Sequence, residues 1–414
     1  MNHREVARSR SGRVREKLKR EEVAGVAVVA SVVDSGSAVS GAAAVADNRS
    51  TADEIPLMIA INGKFTSQRL TGVQRVAHEL TYALSRLLPH ESPILLVPRD
   101  YLDDQLSPWV SRRVVRRFRG VLWEQLALPF AANGRTLLSL CNVGPMFMRR
   151  QVLMIHDAAI FDLPEGYSGK FRLWYRFSFG VLKRNVRHIL TVSAFSKARI
   201  ATQLGVSPDK ISVIRNGVDH LDRVVSDSSI LNRLGVEPEG FVLIVGSLAP
   251  GKNLTRVLDA IALLARDSGG PKFVIAGGKN VKIFGTEARD GGAAPENIVW
   301  AGYVSDGELK ALYERAVCFV FPSLYEGFGL PPLEAMYCGC PVITSREGAL
   351  TEVCGDCALY CDARSAEDIA AKITHLMGDA DARETMRTKG REHARTFRWK
   401  DAAAELLSVL RGLE

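Results

Sequence analysis

From residue 57 onward, short apolar runs alternate with longer stretches in which apolar residues recur every three to four positions. The runs at 57–61, 93–97, 152–155, 189–192 and 211–214 are too short for helices and read as strands covered on both faces. Between the first two, Val73, Val76, Ala77, Leu80 and Leu84 keep a helical spacing, so Thr71 and Gly72 stand at a helix entrance. Further helices are predicted near 171–186 and 194–204. A polar stretch from "VIRNGVD" (213–219) to Gly240 then breaks the pattern before a second wave begins. There, strands at 242–245, 273–276, 298–300, 317–321 and 341–344 alternate with helices at 255–265, 306–315, 332–338 and 366–377. The alternation predicts an α/β protein of two doubly wound, Rossmann-like lobes, 54–224 and 225–396, followed by a terminal segment 397–414.

Residues 1–53 do not share the pattern. They open with mixed Arg, Lys and Glu and continue as an Ala/Val/Ser/Gly tract with almost no large side chains, which cannot build a core; the expectation is a disordered, low-complexity extension. The apolar stretch 23–33 imitates an export signal, but Glu16, Glu21 and Glu22 inside the basic start argue against one.

Composition refines this picture. A chain of 414 residues, 47% hydrophobic, can bury the cores of two lobes. No run of eighteen apolar residues occurs, so no membrane-spanning helix is expected. Seven cysteines suit reduced thiols in a cytoplasm better than a disulfide framework. Cys354, Cys357 and Cys361 are spaced like metal ligands, with Cys338 and Cys340 upstream, yet buried inert thiols are the preferred reading. Charge is unevenly spread: residues 54–224 carry 24 Lys and Arg against 13 Asp and Glu, and residues 225–414 carry 21 against 26. Arg112, Arg113, Arg116, Arg117 and Arg119 cluster in one stretch, and Lys170, Arg172, Arg176, Lys183, Arg184 and Arg187 in another. A basic lobe suits a solvated face, or peripheral contact with an anionic membrane. Nucleic acid is disfavoured, because no recognisable reader motif accompanies the charge.

The chemistry concentrates in "VCFVFPSLYEGFGLPPLEAMYCGCPVITS", 317–345. A strand runs into a turn containing Gly327 and Gly329, and Pro331 and Pro332 suit the first turn of a helix, where their missing N–H groups cost nothing. Free amides at that helix start attract an anion, and Glu326 and Glu334 on either side can accept hydrogen bonds from hydroxyls. A ligand both phosphorylated and polyhydroxylated would fit. A solvated pair of helix-cap acids is the plainer alternative. Upstream, "GSLAPGKN" places Gly246, Gly251 and Lys252 like a Walker A loop, but Asn253 replaces the hydroxyl that would hold Mg²⁺. What remains is a lysine at a phosphate-directed helix entrance. His156 follows a buried strand at the carboxyl edge where parallel sheets present ligands. The Asp-x-Asp at Asp379 and Asp381 reads as helix-start chemistry, so no metal is assigned.

On these stretches the chain resembles the retaining GT-B glycosyltransferases of family 4, whose signature is two glutamates separated by seven residues around a Phe-Gly turn. The likeness covers roughly 57–413. It implies a GT-B architecture, two lobes facing a central cleft, with the terminal helix returning to the first lobe. It implies that Glu326 contacts the donor sugar, Glu334 the ribose hydroxyls, and the amides of Phe328, Gly329 and Leu330 the sugar and diphosphate. Lys252 would neutralise the diphosphate, His156 would lie near the sugar, and Gly72 would let backbone approach the phosphates. Arg75 and Asn142 are expected to face the same cleft. Ser247 stands where the family often has arginine, which leaves the second phosphate contact open.

The implied activity is transfer of a hexose, mannose favoured and GDP-mannose as donor, to a glycan or lipid-linked saccharide in polysaccharide or lipopolysaccharide biosynthesis. The nucleotide sugar is a co-substrate, and no cofactor or metal is expected. The place of action would be the inner face of the cytoplasmic membrane. A sugar-nucleotide epimerase, a sucrose-type synthase, or a basic membrane- or nucleic-acid-binding protein without activity are the alternatives.

Overall fold

The computed structural model describes residues 57–88, 93–102, 106, 110–246, 249–265, 271–277 and 297–413. The 1–53 extension and Ser247 lie outside the described residues. The described residues belong to one compact unit, Ile55–Glu414, built on two parallel sheets.

The first sheet contains β1 (Ile59–Asn62), β2 (Ile94–Pro98), β3 (Arg112–Val115), β4 (Thr136–Ser139), β5 (Gln151–Met154), β6 (His188–Thr191) and β7 (Ile211–Val213), in the order β3-β2-β1-β4-β5-β6-β7. The second contains β8 (Phe241–Val245), β9 (Lys272–Ala276), β10 (Ile298–Gly302), β11 (Cys318–Phe321), β12 (Val342–Ser345) and β13 (Leu359–Cys361), in the order β10-β9-β8-β11-β12-β13. Both are doubly wound, with order reversing beside the first strand, as the alternation predicts. β1, β4, β5, β6, β11 and β12 are buried at every residue, because helices cover both faces.

Three strands escape the pattern analysis. β3 lies in the first basic stretch: as an edge strand it is covered on one side only, so Arg113 can stand exposed. β4 and β13 are the other two.

Helix ends follow local chemistry. Ser193 accepts from the Ser196 amide to cap the helix Ala194–Leu204, which ends on Gly205 in the left-handed region. Ser305 and Glu308 form a reciprocal capping box at the helix Asp306–Arg315. The last helix, Trp399–Arg411, crosses back and packs on the helix Gly72–Leu87 of the first lobe, and its buried Leu406 and Leu410 join the same core as Leu80 and Leu84. At the crossing the Val218 amide donates to the Phe397 carbonyl (3.0 Å) and the Trp399 amide to Asp219 Oδ1 (2.8 Å). The carboxyl edges of the two sheets consequently meet.

Candidate active site

Where the lobes meet, the turn after β11 is pressed against the loop after β5. A Cβ on Gly327 would stand 2.7 Å from the His156 carbonyl oxygen and 2.8 Å from Asp157 Cβ, so only glycine fits. Polar groups fasten the contact. Ser193 Oγ donates to the Gly327 carbonyl (2.6 Å), Tyr325 OH donates to Asp162 Oδ2 (3.0 Å), and Glu352 of the second lobe accepts from the Ala194 and Phe195 amides (2.8 and 3.1 Å). Glu352 thus caps a first-lobe helix from across the cleft.

The sequence-predicted residues fall into two groups. At the first, Lys252 Nζ lies 2.6 Å from Glu326 Oε1, which also accepts from Ser323 Oγ at 2.7 Å. Asn253 turns the chain in the left-handed region after Lys252 and ties the loop down through the Pro322 and Ala363 carbonyls (2.9 and 2.6 Å). Opposite stands buried His156. Its Nε2 donates to the Leu140 carbonyl at 2.8 Å, and its amide donates to Asn142 Oδ1 at 2.8 Å. Asn142 therefore serves to hold the His156 backbone. Burial holds the His156 ring down at about 4, with the Leu140 bond offsetting it only in part, so the imidazole is neutral at physiological pH. Burial also pushes the Asp157 carboxyl up, and the charge of Glu326 adds to this.

The second group lines a cavity of about 500 Å³ that includes Gly72, Arg75, Gly246, Leu330 and Glu334. Gly329, at φ 98°, turns the chain into the helix Leu330–Tyr337, whose open N-terminus carries the amides of Phe328, Gly329 and Leu330 between the two groups. The Phe328 side chain is buried edge-on against Phe397. Gly246 joins the groups, lying beside the Lys252 side chain and on the cavity wall. Arg75 Nη2 bonds Asp306 Oδ1 of the second lobe at 2.5 Å, and the Arg69 guanidinium sits 4.1 Å from the Tyr303 ring centre. These two contacts bridge the cleft between this cavity and a neighbouring one of about 920 Å³ that shares Arg69, Arg75, Tyr303 and Asp306.

Sequence reasoning missed His220, the cavity's link to the terminal helix. Trp399 Nε1 donates to His220 Nδ1 (3.2 Å); an indole nitrogen can only donate, so the His220 proton must sit on Nε2. That nitrogen faces Glu334 Oε1 at 3.3 Å. The carboxylate expected to hold ribose therefore stands beside a buried histidine that is itself fixed by the crossing helix. Tyr303, Val304 and Asp306 were also missed, although "AGYVSDGEL" combines a strand end with a capping serine.

Among the described residues, no three His, Cys, Asp or Glu side chains converge as metal ligands. All seven cysteines are free, and burial pushes the Cys354 and Cys361 thiols up to about 12.

Residues 229–393 match the model of the glycosyl transferases group 1, and residues 70–220 that of glycosyltransferase family 4. The chain is 32% identical over 273 residues to the O-antigen chain mannosyltransferase B of Escherichia coli, which covers 64% of this chain and 71% of that protein. It is 30% identical over 261 residues to the O-antigen chain mannosyltransferase RfbU of Salmonella typhimurium, covering 61% and 64%. Its fold is similar to the crystal structure of WaaG, a glycosyltransferase involved in lipopolysaccharide biosynthesis, with a TM-score of 0.67 at 14% identity over 85% of this chain and 99% of that one.

Proposed function

Since the chain belongs to the group 1 glycosyl transferases and has their two-lobed GT-B architecture, we propose that it transfers mannose from GDP-mannose to a glycan or lipid-linked saccharide, with retention at the sugar and without a metal ion. The donor reading is supported by the two mannosyltransferase relatives and the acceptor reading by their O-antigen chains. The place of action is the cytoplasmic face of the membrane.

The observation that carries the mechanism is the convergence of Lys252, Glu326 and His156 beside a cavity that holds Glu334. In this reading the nucleotide enters the cavity and Glu334 accepts hydrogen bonds from its ribose hydroxyls. The diphosphate lies against Lys252 and the helix-start amides, whose positive charge stabilises the departing group. The acceptor hydroxyl attacks from the face the diphosphate leaves, the sugar–phosphate bond breaking as the new bond forms and the hydroxyl proton passing to the departing phosphate oxygen, so no covalent nucleophile is needed. A neutral His156 places the sugar and donates no proton from Nε2, which Leu140 already occupies. The main catalytic contribution is then orientation and phosphate charge stabilisation.

The test is mannose incorporation from labelled GDP-mannose into lipid-linked saccharide acceptors with excess EDTA, the product's anomeric configuration being read by NMR. Retained configuration and full turnover under chelation are expected. An inverted product, or turnover restored only by Mg²⁺ or Mn²⁺, contradicts the route.

A further inference from the structure

Two helical segments of the first lobe expose apolar side chains where solvent-facing helices ordinarily place polar ones. Along 118–130, Phe118, Val121, Leu122, Leu126 and Phe130 recur every three to four residues and all stand exposed, Phe130 at 84%, while Trp123, Ala127 and Leu128 turn inward. Along the helix Gly169–Asn185, Leu173 (72% exposed), Trp174 and Phe177 form a second outward stripe, with Ser178, Phe179 and Leu182 facing in.

The loop 144–148 joins the two. Gln125 of the first segment donates to the Gly144 carbonyl (3.0 Å) and accepts from the Met146 amide (2.9 Å), while Asn185 of the second donates to the Met146 carbonyl (2.8 Å). Met146 packs inward with Phe179 and Leu182, leaving its neighbour Phe147 79% exposed. The exposed apolar residues are thus carried by elements that brace one another, which is more than the scattered apolar residues of an ordinary surface.

Charge identifies the occupant. Arg116, Arg117, Arg119, Arg149, Lys170 and Arg176 stand exposed among these residues. Of the four acids between residues 110 and 187, Glu165 alone is exposed: Glu124 is buried on Lys64, Asp162 is bound by Arg199, and Asp157 faces the cleft. Not every arginine of the two basic stretches contributes, since Arg112 lies in β3 with its guanidinium over the Tyr101 ring. Aromatic and aliphatic side chains ringed by unneutralised cations match the headgroup layer of an anionic bilayer, where rings enter the acyl boundary and guanidinium groups meet lipid phosphates.

We propose that this face of the first lobe docks on an anionic lipid bilayer, inserting Leu173, Trp174 and Phe177 from one stripe and Val121, Leu122 and Leu126 from the other. The inference rests on this surface and not on the identity of the donor. It gives a lipid-linked acceptor a direct path to the lobe that carries His156.

The test is cosedimentation of the full chain with phosphatidylcholine vesicles, with and without phosphatidylglycerol. Two variants are compared with the wild type: Leu173→Ser/Trp174→Ser/Phe177→Ser, and Arg116→Gln/Arg117→Gln/Arg119→Gln. Thermal unfolding followed by circular dichroism reports that each variant remains folded. Stronger binding to phosphatidylglycerol vesicles is expected, weakened by salt and by about tenfold or more in either variant. In parallel, brominated lipid should quench wild-type fluorescence more than that of Trp174→Phe. The proposal is overturned if the arginine variant sediments like the wild type, or if Trp174→Phe is quenched as strongly. It is also overturned if the apolar variant changes only a monomer–dimer equilibrium, which would make the face a contact between copies of the chain.

Discussion

The first sheet runs β3-β2-β1-β4-β5-β6-β7 and the second β10-β9-β8-β11-β12-β13, the same winding, yet the two lobes present different chemistry at their edges and on their surfaces. At its carboxyl edge the second lobe offers charge: Lys252 on Glu326, and Glu334 at a helix whose first amides are open. The first lobe answers with a neutral His156, hydroxyls of Ser193 and Ser196, and Arg75 reaching across to Asp306. Their outer faces differ as well. Among the described residues after 224, only Val225, Tyr303 and Met377 are large, apolar and exposed, whereas the first lobe exposes Phe and Trp side chains amid uncompensated arginine. Winding fixes where a ligand can bind, at the switch of strand order. It does not fix which lobe holds the donor; that is decided by a few side chains at strand ends.

If the charged chemistry belongs to the second lobe, removing its cation should have the largest effect. Lys252→Ala is expected to lower kcat by about 10² to 10³, as loss of a preorganised group facing developing phosphate charge does; steady-state kinetics with GDP-mannose measures it. A loss of under tenfold would shift the diphosphate to other contacts.

The neutral site group of the first lobe makes an opposite prediction, visible in stability. His156 titrates at about 4 in the folded protein against 6.5 ordinarily, so between these values the unfolded chain holds the extra proton. Folding stability should therefore fall as pH drops from 6.5 towards 4, by about 3 kcal/mol in all, and His156 should contribute no slope above 6.5. Urea denaturation of wild type and His156→Asn at pH 7 and pH 4.5 checks this: the wild type should lose about 2 to 3 kcal/mol more than the variant over that interval.

Glu334→Ala should weaken GDP binding by about 1.5 to 3 kcal/mol, the range for hydrogen bonds to a charged group. Calorimetry decides it, and unchanged affinity would remove Glu334 from the ribose. The smallest effect belongs to the relay behind it. His220→Ala should raise the KM for the donor by about threefold to tenfold with kcat retained, as loss of one positioning contact behind Glu334 would. His220→Gln, which can still accept from Trp399 and donate to Glu334, should recover most of it. Equal damage in both variants would reduce His220 to a packing residue.

What the sequence discloses and what it hides divide along chain distance. The turn from Phe321 to Glu334, Lys252 after its glycine loop, and His156 after β5 are legible because each depends on a strand end and a few neighbours. Gly327 shows the limit: its presence predicts a tight turn, but not that the His156 carbonyl closes on it from the other lobe. His220 meets Trp399 179 positions away, Glu352 caps Ala194 158 positions away, and Arg75 meets Asp306 across 231. No local periodicity encodes such pairs, because they arise only once the two sheets face each other. The apolar stripes were hidden for a different reason. The sequence predicts a helix near 171–186 without assigning its inner face, and only the packing of Phe179 and Leu182 reveals that Trp174 and Phe177 point outward.

The central claim, that this cleft is built to release a sugar from a nucleoside diphosphate, is tested most directly by a donor panel. The purified full chain, given GDP-mannose, GDP-fucose, UDP-glucose, UDP-galactose and dTDP-rhamnose with EDTA and no acceptor, should slowly liberate nucleoside diphosphate from GDP-mannose in preference to the others, and Lys252→Ala should not. Release from none of the five, or release that is indifferent to Lys252, would contradict the account.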